Sequence, residues 1–169
     1  MARFAAFLRA VNVGGTGKLP MADLKAICEA LGFKAVQTYI ASGNVVFETN
    51  LDAAKCKTKL ELRLAEYLGK SLQVFLRDAI ELERIISASP FTHADGNRLL
   101  VIILDHALLV EMITGAKFRV DEEVAVGDRC LYVHYPSGMG KSKLKLPGAE
   151  LGTARNMNTI RKMLELIRG

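Results

Sequence analysis

The chain of 169 residues is long enough for one medium domain or two small packed subdomains. Half of its residues are hydrophobic, which excludes a disordered chain, and no apolar run approaches the ~20 residues that a membrane-spanning helix requires. The net charge of +5 lies wholly in the C-terminal part, because residues 1–126 hold 15 Lys or Arg and 15 Asp or Glu, whereas residues 127–169 hold 8 and 3. We therefore expect anionic partners to be attracted to the C-terminal part.

Cysteine usage argues against a disulfide framework and against a zinc site. Cys28, Cys56 and Cys130 are odd in number, lie far apart and form no CxxC pair. We predict no metal site and no cofactor. The apolar run at residues 4–8 is interrupted by Arg9 and is shorter than the ~7–15 apolar residues of a secretory signal. We expect a cytoplasmic protein with reduced thiols.

The first half predicts a ferredoxin-like unit. The predicted elements are a strand at 4–11, a helix from Pro20 to Gly32, strands at 35–41 and 45–49, a helix from Asp52 to Gly69, and a strand at 72–76. A tight turn at Ser42-Gly43-Asn44 joins the second and third strands. The order β-α-β-β-α-β is that of the ferredoxin-like motif. Cys28 and Cys56 fall on the apolar helical faces, so we predict that both thiols are buried.

The second half repeats this pattern imperfectly. The predicted elements are a linking helix from Asp78 to about Ser89, a strand at 98–104, a short helix at 107–114, strands at 124–126 and 130–135, and a closing helix at 153–168. This order lacks the final strand. We therefore predict an α+β fold of two ferredoxin-like subdomains, residues 1–77 and 78–169, the second incomplete and the two joined by the linking helix. The sequence of the long basic connection between Tyr135 and Thr153 shows no helical pattern. Loops of this length are often functional.

Two glycine-containing stretches imitate a phosphate-binding loop, and neither matches the Walker pattern. Around Gly17-Lys18, Asn12 stands where the pattern requires glycine, and Leu19 stands where it requires a hydroxyl. The second stretch, at residues 140–142, has Tyr135 at the first glycine position and no helix behind it. A nucleoside triphosphatase loop is therefore not predicted.

Topology still predicts a role for the first loop. In a ferredoxin-like unit, the end of the first strand and the turn after the second strand lie at the same edge of the sheet. Arg9, Asn12 and Gly14-Gly15 should therefore lie beside Ser42-Gly43-Asn44. Glycines there would let a ligand approach the backbone, with polar side chains to bind it. The alternative is that these residues serve only the geometry of their turns.

Five stretches carry a resemblance to a known family: "LRAVNVGG", "LPMADLKAICEALGF", "TYIASGNVVF", "GKSKL" and "LGTARNMNTIRKMLEL". In this order they resemble the bacterial domain-of-unknown-function family 1697. The resemblance implies a two-subdomain α+β fold and no established activity. The polar positions that it implies are Arg9, Asn12, Lys18, Ser42, Asn44, Ser142, Lys143, Arg155, Asn156, Asn158 and Thr159. The chain departs from the family at Ala10, where glycine is common, and at Met157, where a tryptophan could stack on a ring.

The favoured function is binding of a phosphorylated or otherwise anionic ligand, either a nucleotide or nucleic acid. The basic C-terminal stretch supports it, as does a helix predicted to be capped near Thr153, whose N-terminus would favour an anion. We predict one anion-binding surface at Lys141, Ser142, Lys143, Arg155 and Asn156. The full set of predicted ligand-binding residues is Arg9, Asn12, Lys18, Ser42, Asn44, Lys141, Ser142, Lys143, Arg155, Asn156 and Thr159.

Two alternatives stay open. The first is an enzyme that acts on a phosphorylated small molecule, with Ser142 of "GKS" as a nucleophile beside a lysine. Its catalytic residues are not identified, because His93, His106 and His134 are dispersed and fall in no motif. The second is a protein-interaction module, in which the acidic edge at residues 121–123 pairs head to tail with the basic tail of another copy. We expect no membrane partner, and the oligomeric state is left open.

Overall fold

The computed structural model describes residues 1–13 and 18–169. Within these residues the chain is α+β with five α-helices, as predicted, and it has two four-stranded antiparallel sheets, the second with one strand more than predicted. The chain packs into two compact units, one formed by Met1–Glu81 with Met163–Gly169 and the other by Leu82–Lys162.

The first unit has the ferredoxin-like topology that its sequence predicts. Its elements are β1 (Ala2–Leu8), α1 (Met21–Ala30), β2 (Lys34–Tyr39), β3 (Asn44–Thr49), α2 (Ala53–Leu68) and β4 (Val74–Arg77). The strand order is β2-β3-β1-β4, and each neighbouring pair is antiparallel. Strands β1 and β2 therefore run parallel on either side of β3.

An apolar stripe on each helix builds the core of this unit. Asp52 caps α2 by accepting a hydrogen bond from the Lys55 amide at 2.8 Å, and Gly69 ends that helix with a φ of 71°. Between these ends, α2 turns Cys56, Leu60 and Leu64 towards the core, where all three are fully buried. Each buried leucine contributes about 1.5–3 kcal/mol of apolar burial.

The thiols of the first unit are buried and unpaired, which confirms the prediction for both. Cys28 on α1 and Cys56 on α2 belong to the same apolar cluster, and neither forms a disulfide. Burial raises the pKa of each thiol to about 12. Both are therefore protonated, unreactive core residues near neutral pH.

The second unit, Leu82–Lys162, begins within the linking helix and ends within the closing helix. The linking helix, α3 (Ala79–Ser87), begins at a capping box in which the Glu81 amide donates to Asp78 Oδ1 and the Asp78 amide donates to Glu81 Oε2, each at 2.8 Å. The later elements are β5 (Leu99–Ile103), α4 (Glu111–Thr114), β6 (Glu123–Gly127), β7 (Cys130–His134), β8 (Thr153–Asn156) and α5 (Met157–Arg168). The sheet order β6-β7-β5-β8 repeats that of the first unit.

One segment differs from the prediction. Residues 153–156, expected to begin the closing helix, form the strand β8, which pairs with β5 from Ile103↔Thr153 to Leu100↔Asn156. Alanine and arginine favour helices, and a strand of four residues is too short for its alternation to outweigh that preference. The final strand is thus present. The second unit is instead incomplete in its second helix, since only a 3-10 turn at Ala149–Leu151 lies between β7 and β8.

Both faces of the sheet in the second unit are buried. On one face Val101 and Tyr132 are fully buried, and the Tyr132 hydroxyl donates to the Ile85 carbonyl of α3 at 2.6 Å; the other face carries a second cluster. Ile102, Leu131 and Val133 alternate inward from β5 and β7, and Met112 of α4 packs on them. The predicted helix at 107–114 is shorter in the structure, where α4 starts at Glu111. None of the helices described in either unit is long and apolar enough to cross a membrane.

Candidate functional site

The basic loop, residues 136–152, contains an extended segment with a period of two. Lys141, Lys143 and Lys145 are exposed, whereas the intervening Ser142, Leu144 and Leu146 are half-buried. The two leucines pack against the core of the second unit. The segment is held in an extended form by paired backbone hydrogen bonds of 2.9 Å between Lys117 and Lys145. Alternation along an extended chain therefore directs three lysines outward from one anchored segment.

A hydrogen bond between Ser142 and Glu122 holds the start of this segment. Ser142 Oγ donates to Glu122 Oε2 at 2.6 Å, and Glu122 Oε1 accepts from the amides of Val120 and Asp121 at 2.8 and 3.0 Å. These donors, with the Ser142 hydroxyl first, lower the pKa of Glu122 from 4.5 to about 2. Glu122 is only 3% exposed and ionised at neutral pH, and it anchors the basic loop.

The basic loop and the segment before β6 enclose a cleft of about 510 Å³, which we call the basic cleft. Residues 118–122 line one side, and residues 137, 138 and 141–143 line the other. Its cationic groups are Arg119, Lys141 and Lys143, and Arg119 Nε donates to the Glu122 carbonyl at 2.6 Å. Neither lysine forms an ion pair with any residue that the structure describes. Two positively charged side chains, Lys141 and Lys143, therefore face solvent at the rim of the basic cleft.

The acidic edge at residues 121–123 is engaged within its own unit. Asp121 accepts a hydrogen bond from the Ser137 hydroxyl, Glu122 accepts from Ser142, and Glu123 Oε1 lies 2.9 Å from His134 Nδ1. These contacts occupy the side chains that the interaction hypothesis assigns to the basic tail of another copy. They favour an internal, structural role for the acidic edge.

The predicted residues on β8 and α5 lie apart from the basic cleft. Arg155 is 7% exposed, and its Nη1 donates to Thr153 Oγ1 and to the Ala154 carbonyl, each at 2.8 Å. Burial lowers the pKa of Arg155 to about 10. Asn156 Oδ1 accepts from the Thr159 amide at 2.9 Å, so Asn156 caps α5 in place of the predicted Thr153.

Sheet order explains this separation. Strand β8 is one edge of the second sheet, and the lining residues 118–122 lead directly into β6 at the opposite edge. Three strand spacings of about 4.8 Å lie between those edges. The structure therefore brings Lys141, Ser142 and Lys143 together and leaves Arg155, Asn156 and Thr159 at the other edge of the sheet.

Met157, the position at which the family resemblance led us to expect a tryptophan, follows β8 directly. Its side chain is 1% exposed, so this position belongs to the protein interior. A side chain there packs inside the protein and does not stack on a ligand.

In the first unit, the structure confirms the predicted approach of the first loop to the turn after β2. Asn12 Nδ2 donates to the Ala41 carbonyl at 2.8 Å, and the Leu8 amide donates to the Gly43 carbonyl at 2.9 Å. A side chain on Gly43 would meet Val11 Cγ2 at 2.7 Å, which is why glycine is required at this contact. The predicted glycines at 14 and 15 lie outside the described residues.

The polar groups of this loop bind their own backbone. Asn12 also donates to the Leu19 carbonyl and accepts from the Leu19 amide, both at 2.7 Å. Asn44 is fully buried, and its Nδ2 donates to the Tyr39 carbonyl and to Ser42 Oγ at 2.9 Å. The hydrogen bonds of Asn12 and Asn44 are therefore explained by the closure of the loop and of the turn.

Arg9 and Lys18 complete the predicted residues of the first unit. Lys18 is exposed. Arg9 Nη1 donates to Gln73 Oε1 at 3.4 Å and lines a separate cleft of about 680 Å³ with Glu61 and Lys70. That cleft holds two cationic groups and one acid, and Glu61 forms an ion pair of 3.0 Å with Lys57.

Of the residues that line the basic cleft, sequence reasoning predicted only Lys141, Ser142 and Lys143 as ligand-binding. Phe118 and Arg119 were not predicted, because nothing in the local sequence places residues 118–122 beside the basic loop. The alternation in "KSKLKL" at residues 141–146 was the available signal for the outward lysines. Among the described residues, no group of three or more His, Cys, Asp or Glu is arranged to hold a metal ion.

Comparison with known proteins agrees with the fold. The structure is similar to that of the conserved bacterial protein SP0830 from Streptococcus pneumoniae, with a TM-score of 0.80, 25% sequence identity and 98% of each chain covered. No curated protein matches the sequence. The model of the family described as "Protein of unknown function (DUF1697)" matches residues 1–132, which include three of the five stretches quoted above. The chain therefore belongs to the DUF1697 family.

Proposed function

We propose that this protein binds a phosphorylated small molecule, or another anion, in the basic cleft. The observation that supports this function is the placement of Lys141 and Lys143 on one outward face of an anchored, extended segment. Residues two apart in an extended chain are separated by about 7 Å, which suits two ammonium groups that contact different oxygens of a diphosphate. Neither lysine is neutralised by an ion pair with a described residue.

The carboxylates of the basic cleft are compatible with an anionic ligand. Both oxygens of Glu122 accept hydrogen bonds, from Ser142 Oγ and from two backbone amides, and Asp121 accepts one from Ser137. These bonds occupy acceptor oxygens of both carboxylates. Arg119, Lys141 and Lys143 outnumber the two acids, so the basic cleft keeps a positive balance.

The enzyme alternative receives less support. Ser142 would need a base to act as a nucleophile, and its partner Glu122 has a pKa lowered to about 2. A carboxylate with so low a pKa is a poor proton acceptor near neutral pH. The Ser142–Glu122 contact is better explained as an anchor for the basic loop, which favours binding without chemistry.

Equilibrium titration of the full-length protein with inorganic pyrophosphate tests this proposal. The double variant Lys141→Glu, Lys143→Glu should lower the affinity at least about tenfold, because two attractive charges become repulsive. The double variant Lys25→Glu, Lys59→Glu makes the same change in net charge on the exposed faces of α1 and α2 and is the matched control. Equal losses in the two double variants, or no binding by the parent protein, would contradict the proposal. Arg155 is unsuitable for this test because it is buried.

Salt dependence separates a small anion from nucleic acid. If a nucleic acid is the ligand, the logarithm of the affinity should fall with the logarithm of the salt concentration by ~0.7–0.9 for each phosphate contacted. A steep slope with a single-stranded oligonucleotide, corresponding to many contacted phosphates, would favour nucleic acid. A shallow slope with pyrophosphate and weak oligonucleotide binding would favour the small anion.

A further inference from the structure

An aromatic side chain stands at the rim of the basic cleft without the burial that usually accounts for a phenylalanine. Phe118 is 62% exposed and lines the cleft that Lys141 and Lys143 also line. Its backbone has a φ of 59°, in the left-handed region. Bulky side chains rarely adopt this conformation, and strained residues of this kind cluster at ligand-binding sites. Apolar burial therefore does not explain why this ring is held where it is.

Contacts with Lys145 of the basic loop hold the Phe118 ring in place. Next to Phe118, Lys117 exchanges two backbone hydrogen bonds of 2.9 Å with Lys145 of the basic loop. The Lys145 ammonium lies 5.9 Å from the centroid of the Phe118 ring, at the distance of a cation–π contact. The segment that carries the two outward lysines thus also positions the ring, so ring and lysines form one preorganised surface.

We propose that Phe118 is a stacking platform for the ring of a nucleotide whose phosphates lie on Lys141 and Lys143. This inference rests on the proposed anion site and names its ligand class, a nucleoside diphosphate. An aromatic side chain stacks on any nucleobase because every base has a π-face, and basic groups beside it hold the phosphates. The volume of about 510 Å³ lies in the range of ~300–1,000 Å³ that small-molecule sites occupy.

The test compares two ligands that share a diphosphate and differ in the ring. Titration of the full-length protein with adenosine diphosphate and with inorganic pyrophosphate gives a ratio of affinities for each variant. In the parent protein, adenosine diphosphate should bind about tenfold more tightly or better, as stacking of one base implies. Phe118→Gly removes the ring and suits the positive φ, so the variant should fold and its ratio should fall to about 1. Phe118→Tyr keeps the ring and should keep the ratio of the parent.

The outcomes distinguish the two proposals. If pyrophosphate binds through the two lysines and adenosine diphosphate binds no better, the stacking inference is wrong and the anion site stands. A ratio that Phe118→Gly leaves unchanged would also overturn the stacking role. If neither ligand binds, both proposals fail. A thermal melt of each variant confirms that the protein measured is folded.

Discussion

The two units build the same sheet and close it in different ways. In each, the four strands follow the same spatial order, with every neighbouring pair antiparallel. In the first unit, the third and fourth strands are connected by α2, whose 16 residues form an amphipathic helix. In the second unit, the connection is the basic loop, which contains no α-helix and only the 3-10 turn at Ala149–Leu151. One topology thus accepts either an apolar helix or a polar extended chain as its second crossover.

The difference teaches how a crossover becomes available for binding. A helix satisfies its own backbone hydrogen bonds and needs only an apolar stripe to hold it. An extended crossover needs partners for its backbone and side chains, here through Lys117 and Glu122. The basic loop therefore forms hydrogen bonds with the segment before β6, and the space between the loop and that segment is the basic cleft. The extended form places Lys141 and Lys143 together at the rim of the basic cleft.

Truncation of one leucine in each crossover should give the largest effect. Leu64 of α2 is fully buried, so Leu64→Ala should cost about 2–5 kcal/mol of unfolding free energy. Leu146 of the basic loop is half-buried, so Leu146→Ala should cost less than about 2 kcal/mol. Urea unfolding of the two variants provides the comparison. Equal losses would mean that the basic loop is held by apolar packing as firmly as α2.

The glycines that end the two crossovers should differ in the same experiment. A side chain on Gly152, just before β8, would lie 2.3 Å from the Ile103 carbonyl oxygen, so Gly152→Ala should cost about 2–3 kcal/mol through a clash with backbone. Gly69 has open space around it and only a positive φ of 71°, so Gly69→Ala should cost about 1 kcal/mol. A larger loss for Gly69→Ala would show that the geometry before β8 adapts readily.

Acid should weaken the anchoring of the basic loop by Glu122. The folded-state pKa of Glu122, about 2, lies below its ordinary value of 4.5, so the unfolded chain takes up this proton first as the pH falls. The contribution of Glu122 is therefore complete above about pH 5 and is lost as the pH falls from about 4.5 to about 2.

The variant Glu122→Gln measures this contribution. The difference in unfolding free energy between the parent and this variant should be greatest near neutral pH and should shrink towards pH 2. Other acids titrate in both proteins, so they cancel in the difference. A difference that does not vary with pH would contradict the assigned role of the Glu122 carboxylate.

The smallest effect is expected in thiol labelling of the native state. Cys28, Cys56 and Leu64 belong to one cluster in the first unit. Leu64→Ala should therefore speed the labelling of both thiols, because the cavity loosens their packing, whereas Leu146→Ala should leave the labelling rate near that of the parent. Peptide mapping after a timed pulse of a bulky thiol reagent measures both rates. Equal acceleration in the two variants would show that the packing of the first unit depends on the basic loop.

The local sequence determined much of this fold. The apolar stripes of α1 and α2, the cap at Asp52 and the turn at Ser42–Asn44 each act within a few residues, so their pattern was sufficient to predict the first unit and its strand order. The same reasoning placed Asn12 beside that turn, and the structure confirms it. It also predicted that Lys141–Lys143 belong to a long basic connection, which they do.

Only the tertiary structure decided which of these residues meet. Strand β8 is four residues long and is defined by its pairing with β5, a contact with residues about 50 positions earlier that no local pattern encodes. That pairing buries Arg155 at one edge of the sheet, whereas Ser142 reaches Glu122 at the other. Residue chemistry was thus readable from the sequence, but the grouping of residues into one cleft depends on long-range strand order.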